Sequence, residues 1–120
     1  MSAGVYNFEI EQGADFDLHI TYKDTDGAVV DLADLTYSSA RMQIRESVDS
    51  TTVLLEATTT NGKITLSGTA PNIKIAIDHT VTDDLNFDTA FYDLELVGTS
   101  NTFVIKVLRG RVKLIKEFTK

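Results

Sequence analysis

Cysteine is absent from this chain, and so is tryptophan. Without Cys there is no disulfide framework, no thiolate nucleophile and no Cys-based zinc site. A single proline and seven glycines scattered among turns leave neither a low-complexity linker nor a glycine-rich phosphate loop. No apolar run approaches the ~20 residues that a membrane helix needs. The opening Met1-Ser2-Ala3-Gly4-Val5-Tyr6 has neither a basic region nor an apolar stretch, so no secretory signal is expected. The two histidines, His19 and His79, lie far apart with no Ser or Cys motif to serve. What remains is a chain of 120 residues, expected to form one domain over 1–120. That length buries a sizeable core unaided.

Charge is unevenly spread. Residues 106–120 carry Lys106, Arg109, Arg111, Lys113, Lys116 and Lys120 against one acid, Glu117, for +5. With −7 overall, the rest of the chain holds −12. An acidic body argues against general nucleic-acid binding, which needs a basic surface to neutralise phosphates. A basic final strand predicts either cross-strand ion pairs or an acidic partner surface. Arg109, Arg111, Lys113 and Lys116 are the candidate partner-binding residues.

Hydrophobic residues recur with a period of two. In Thr89–Val97, Ala90, Tyr92, Leu94 and Leu96 share one face while Asp93 and Glu95 share the other. Gly98-Thr99-Ser100-Asn101 suits a hairpin loop into Thr102–Leu108, so a long antiparallel hairpin organises the chain. Tyr6, Phe8 and Ile10 alternate in a first strand, and Phe16, Leu18 and Ile20 in a second. Asp24-Thr25-Asp26-Gly27 is a turn signal, and Ala28–Val30 returns as a short strand. Leu32 and Leu35 are expected to tuck into the core. Ala40, Met42 and Ile44 oppose Arg41, Gln43 and Arg45 in the next strand. Asn61-Gly62 reads as a tight hairpin after Thr52–Ala57, and Ile73, Ile75 and Ile77 form another strand. Thr80 is placed as a cap of a single helical turn that faces Val81 and Leu85 inward. Gly110 predicts a bulge or a change of sheet. The sum is about eight to ten short strands, an all-β, antiparallel, immunoglobulin-like sandwich. A small β-barrel is the alternative.

No catalytic constellation emerges. Asp15 with Asp17 and Asp93 with Glu95 are paired carboxylates, but on strand faces rather than across a cleft. Asp24–Gly27 resembles the start of a calcium loop, yet Ala28 and Leu35 stand where oxygen ligands belong. His79 beside Asp83-Asp84 is a sparse metal set. No metal and no cofactor is expected. The aromatic residues at strand spacing, Phe91 included, are expected to fill the core or stiffen its edge. Tyr92 is placed to act as a tyrosine corner, its hydroxyl bonded to backbone.

Several segments together carry a resemblance: Gly13-Ala14-Asp15-Phe16-Asp17-Leu18, Lys23-Asp24-Thr25-Asp26-Gly27-Ala28-Val29-Val30-Asp31-Leu32, Ala40-Arg41-Met42-Gln43-Ile44-Arg45, Tyr92-Asp93-Leu94-Glu95-Leu96 and Arg109-Gly110-Arg111-Val112. In these the chain resembles the small β-sandwich proteins encoded among the virion structural genes of tailed bacteriophages. It is also similar to the N-terminal domains of phage baseplate upper proteins. The resemblance implies a non-enzymatic structural subunit of the tail, neck, baseplate or capsid surface, assembled in the host cytoplasm. Its implied partners are other virion proteins and copies of itself, with no nucleic acid and no membrane. Because the chain stops at Lys120, a separate adaptor or decoration subunit is expected. The second functional expectation is a glycan-binding module presenting Tyr22, Tyr37 and Phe91.

Overall fold

A computed structural model describes residues 4–33, 37–47 and 49–118, without the side chains of residues 37, 38 and 101. The period-two segments become nine strands: β1 (Gly4–Val5), β2 (Phe8–Glu11), β3 (Phe16–Ile20), β4 (Tyr37–Arg45), β5 (Val53–Thr58), β6 (Ile64–Leu66), β7 (Ile73–Ile77), β8 (Thr89–Gly98) and β9 (Val104–Ile115). One helical turn, α1 (His79–Thr82), precedes β8. The strands form two sheets in a mostly-β, sandwich-like arrangement. A six-stranded sheet runs β1-β9-β8-β4-β5, with β2 also on β9, and a three-stranded sheet runs β3-β7-β6.

The expected antiparallel sandwich needs one correction, because the larger sheet is mixed. β1 and β2 both lie parallel to β9, pairing Gly4 with Leu108 and Phe8 with Val112. The first and last strands of a chain can pair this way because a whole domain intervenes as the crossover. Two local expectations change as well. Asn61-Gly62 does form a turn, with Asn61 Oδ1 accepting from the Thr58 and Lys63 amides at 2.9 and 3.1 Å. It carries the chain from one sheet to the other rather than closing a hairpin, since β5 pairs with β4 and β6 with β7. Ala28–Val30 contributes a single bridge, Lys23 to Val29, instead of a strand. Asp24 Oδ1 accepts from the Asp26 and Ala28 amides, which is the turn chemistry its position predicted.

Both inner faces meet in one core. From the larger sheet come Ile10, Met42, Ile44, Leu94, Leu96 and Val112; from the smaller come Ile64, Ile73, Ile75 and Ile77. Each of these buries its side chain for roughly 1.5–3 kcal/mol. Leu32 joins them as expected, whereas Leu35 lies outside the described residues. Asn72, fully buried, is satisfied by backbone alone. Its carbonyl accepts from the Tyr22 amide at 2.7 Å, and its amide donates to the Tyr22 and Val30 carbonyls at 2.9 and 2.7 Å. It thereby fastens the loop after β3 to β7.

The N-terminal segment is fastened at one crossing. β9 runs unbroken through Gly110 in a single sheet, so the predicted bulge or change of sheet there does not occur. Instead the link between β1 and β2 passes directly over this glycine. A Cβ at Gly110 would stand 2.1 Å from the Tyr6 carbonyl oxygen. The same oxygen accepts from the Tyr92 hydroxyl at 2.7 Å, and Asn7 Oδ1 accepts from the Arg111 amide at 2.8 Å. Tyr92 thus bonds backbone as foreseen, but on the link between β1 and β2. Burial, then the neighbouring Tyr6, pushes its ionisation up, and Phe8 packs edge-on against its ring at 4.8 Å.

Two substitutions test this crossing. Tyr92→Phe is expected to cost about 1 kcal/mol, the net value of one hydrogen bond, in urea unfolding. Gly110→Ala forces backbone apart and is expected to cost about 2 kcal/mol or more in the same measurement.

Candidate functional site

The outward face of the larger sheet carries three of the basic residues singled out in the sequence, Arg109, Arg111 and Lys113. The register sets them in rows across β4, β8 and β9. In the first row Arg41 lies opposite Glu95, and Glu95 opposite Lys106. In the second, Gln43, Asp93 and Arg109 align; in the third, Arg45, Phe91 and Arg111. A register irregularity between Leu94 and Glu95 skips Val107 on β9, so that Lys106 falls opposite Glu95. This is the bulge of β9, three residues before the glycine that had suggested one.

The rows differ in their electrostatics. Glu95 is buried to 7 % exposure and is the centre of a closed row. It accepts from Arg41 Nε at 2.5 Å and from Lys106 Nζ, which also reaches Asp93 at 3.2 Å. In the second row, Gln43 donates to Glu56 on β5 at 2.7 Å. In the third, Phe91 is half-buried and lies between Arg45 and Arg111 in the register. Arg45 donates to the Ser50 carbonyl and to Gln43 Oε1 at 2.8 and 2.7 Å. Among the described residues, none of Arg45, Arg109 and Arg111 has a carboxylate in ion-pair contact. These rows line an open groove of about 940 Å³, with Val5 and Asn7 on its rim. Its cations are Arg41, Arg45, Lys106, Arg109 and Arg111 and its acids Glu56, Asp93 and Glu95, which leaves +2 on a protein of net −7.

The structure therefore brings two of the four predicted residues, Arg109 and Arg111, into one groove. Lys113 lies beyond it, lining a second cleft of about 740 Å³ with Tyr6, Phe8 and Phe16. Lys116 follows the end of β9 and donates to Asn86 Oδ1 at 2.8 Å. Lys106 is the residue that makes the predicted cross-strand ion pairs. Arg45 was missed as a member of the site, and Phe91 was named only as a presented ring of the glycan-binding alternative. Alternation placed Arg45 on the polar face, but nothing in the sequence told that β4 lies beside β8. Phe91, expected to fill the core or stiffen its edge, points out of the sheet opposite Arg45. Of the proposed glycan-binding rings, Tyr22 is half-buried against the core and the Tyr37 side chain lies outside the described residues.

A second polar cluster lies at α1. His79 Nδ1 is 2.9 Å from Asp15 Oδ1 and 3.0 Å from Asp78 Oδ1, and the His79 amide donates to Asp15 at 2.7 Å. Asp78, not Thr80, is the N-cap position, and Asp83 closes the turn at its other end. Val81 and Leu85 face inward as expected. The side-chain acceptor at the helix start comes instead from Asp15, just ahead of β3. Asp15, Asp78 and His79 could offer metal-ligand atoms within 4.8 Å of one another, but all three are exposed and already bonded together. Thr82, buried, donates to the Ala14 carbonyl at 2.8 Å and seats the turn on the sandwich.

No protein-family model matches this chain, and no curated protein sequence matches it.

The α1 cluster generates a pH prediction. The hydrogen bond to Asp15, then the Asp78 charge, raises His79 above its ordinary 6.5. The hydrogen bond to the His79 ring, then the His79 amide, lowers Asp15 below its ordinary 3.8. The raised His79 stabilises fully below pH 6.5, and this is lost as pH rises through its folded value. The lowered Asp15 stabilises fully above pH 3.8, and this is lost as pH falls through its folded value. Thermal melts of wild type and His79→Gln are expected to differ most between pH 3.8 and 6.5 and to converge in alkali.

Proposed function

We propose that this chain is a non-enzymatic structural subunit of a bacteriophage particle that docks on other virion proteins and on copies of itself. The docking surface in this reading is the outward face of the six-stranded sheet. The observation that carries it is the third row, where Phe91 stands between Arg45 and Arg111 with no carboxylate partner among the described residues. Aromatic and arginine side chains are the types enriched where proteins meet. The placement in a phage virion rests on the resemblance of the turn and core segments. The strand order supports the immunoglobulin-like assignment as well. β9-β8-β4-β5 facing β3-β7-β6 follows G-F-C-C′ over B-E-D of a variable-type domain.

The glycan-binding alternative keeps one exposed-face ring among its described candidates, Phe91, and that ring is flanked by cations rather than by neutral hydrogen-bonding groups. Light scattering after size exclusion tests the docking reading. Oligomers are expected at low ionic strength, falling toward the 13.2 kDa chain as salt screens the groove. Arg109→Glu with Arg111→Glu is expected to shift the mass toward one chain at low salt; an unchanged oligomer overturns the groove as the docking face.

A further inference from the structure

Resting on that docking reading, the structure assigns an occupant to the groove. We infer that the open row of Arg45, Phe91 and Arg111, with Arg109 beside it, receives the acidic segment 78–88 of a second copy of this chain. The closed first row shows what the open one lacks. There, a carboxylate on β8 stands between a cation on β4 and a cation on β9, and both cations are drawn onto it. In the third row the flanking cations are repeated, but the central residue is a phenyl ring. A carboxylate entering from outside above Phe91 would make the two contacts that Glu95 makes two rows away. Arginine can take such a carboxylate with two parallel N–H donors.

The chain itself supplies the complementary group. Segment 78–88 contains Asp78, Asp83, Asp84 and Asp88 and no Lys or Arg, for −4 with His79 neutral. Asp83, Asp84 and Asp88 are exposed, held outward by a turn whose Thr82, Leu85 and Phe87 are buried. Asp78 is already engaged with His79 and Thr80, and Lys116 touches the segment only through Asn86. Asp83, Asp84 and Asp88 have no ion pair among the described residues. Groove and segment are different surfaces, so one molecule's segment in the next molecule's groove is a heterologous contact, closing into a ring or continuing as a filament according to the rotation.

The test pairs two charge-reversed proteins, Arg109→Glu/Arg111→Glu and Asp83→Lys/Asp84→Lys, measured by light scattering at low salt. All four positions are exposed, and circular dichroism verifies that each variant is folded. Each alone is expected to self-associate roughly tenfold more weakly than wild type or worse. Their equimolar mixture is expected to associate well beyond either variant alone, because the groove of each variant then meets the segment of the other with opposite sign. That association also shows that both variants are folded. If the groove variant dissociates while the segment variant assembles like wild type, the inference falls and the docking face stands. If both variants assemble like wild type, the inference and the docking face fall together. A wild-type protein that stays monomeric at every concentration in low salt overturns the inference by itself.

Discussion

The register among β4, β8 and β9 is the constraint on which the rest of this protein depends. It places Ala40, Met42, Ile44, Leu94 and Leu96 in the core and, by the same alternation, Arg41, Arg45, Asp93 and Glu95 outside. A slip of one residue would exchange the two sets, burying charge and exposing the core. The bulge at Val107 then resets the phase of β9. Val107 and Leu108 both turn toward the interior, while Lys106 behind them and Arg109 ahead both reach the outer face. Without that extra residue, Glu95 would be a nearly buried carboxylate with a cation on one side only. Leaving a buried charge short of partners costs more than the pair contributes when complete. The bulge is therefore part of how the outer face is neutralised at one end.

The N-terminal segment depends on the same strand from its other side. β1 and β2 use β9 as their template, and the crossing over Gly110 allows two short parallel stretches to sit on one long strand. Tyr92, in the adjacent strand β8, reaches beneath β9 to hold the crossing carbonyl of Tyr6. Groove and N-terminus are therefore mechanically joined: Arg109 and Arg111 flank the glycine that the crossing covers, and Val5 and Asn7 form the rim.

Much of the fold was legible in the sequence because alternation reports directly which face a side chain occupies. The faces of β4, β7 and β8, the connection after Gly98, the Asp24 turn and the backbone bond of the Tyr92 hydroxyl were all readable. Alternation does not report which strand lies beside which, and the differences follow from that. Arg45 and Phe91 could each be assigned a face but not to each other. Asn61-Gly62 has the chemistry of a tight turn whether the strands it joins share a sheet or face one another. The parallel pairing of β1 and β2 is non-local and leaves no trace in either segment. Gly110 did mark a special place, but close approach of another backbone and a bulge require the same absence of a Cβ. Asp15 as the acceptor at the start of α1 was hidden for the same reason, since 64 residues separate it from His79.

The closed and open rows also differ in what covering them would require. Arg45 and Arg111 are two strand spacings apart, about 10 Å, and in water their mutual repulsion is largely screened. Excluding water from the groove without an anion would strengthen that repulsion, because the dielectric falls. A partner that covers the groove must therefore bring negative charge to this row. A neutral or basic surface meets a penalty, whereas an acidic one gains two charge-assisted hydrogen bonds and the apolar face of Phe91. The first row imposes no such condition, because Glu95 has already met it from within. A carboxylate at one position of β8 and a phenyl ring at another thus separate a row that is neutralised from within from one that would admit a covering surface only if that surface brought negative charge.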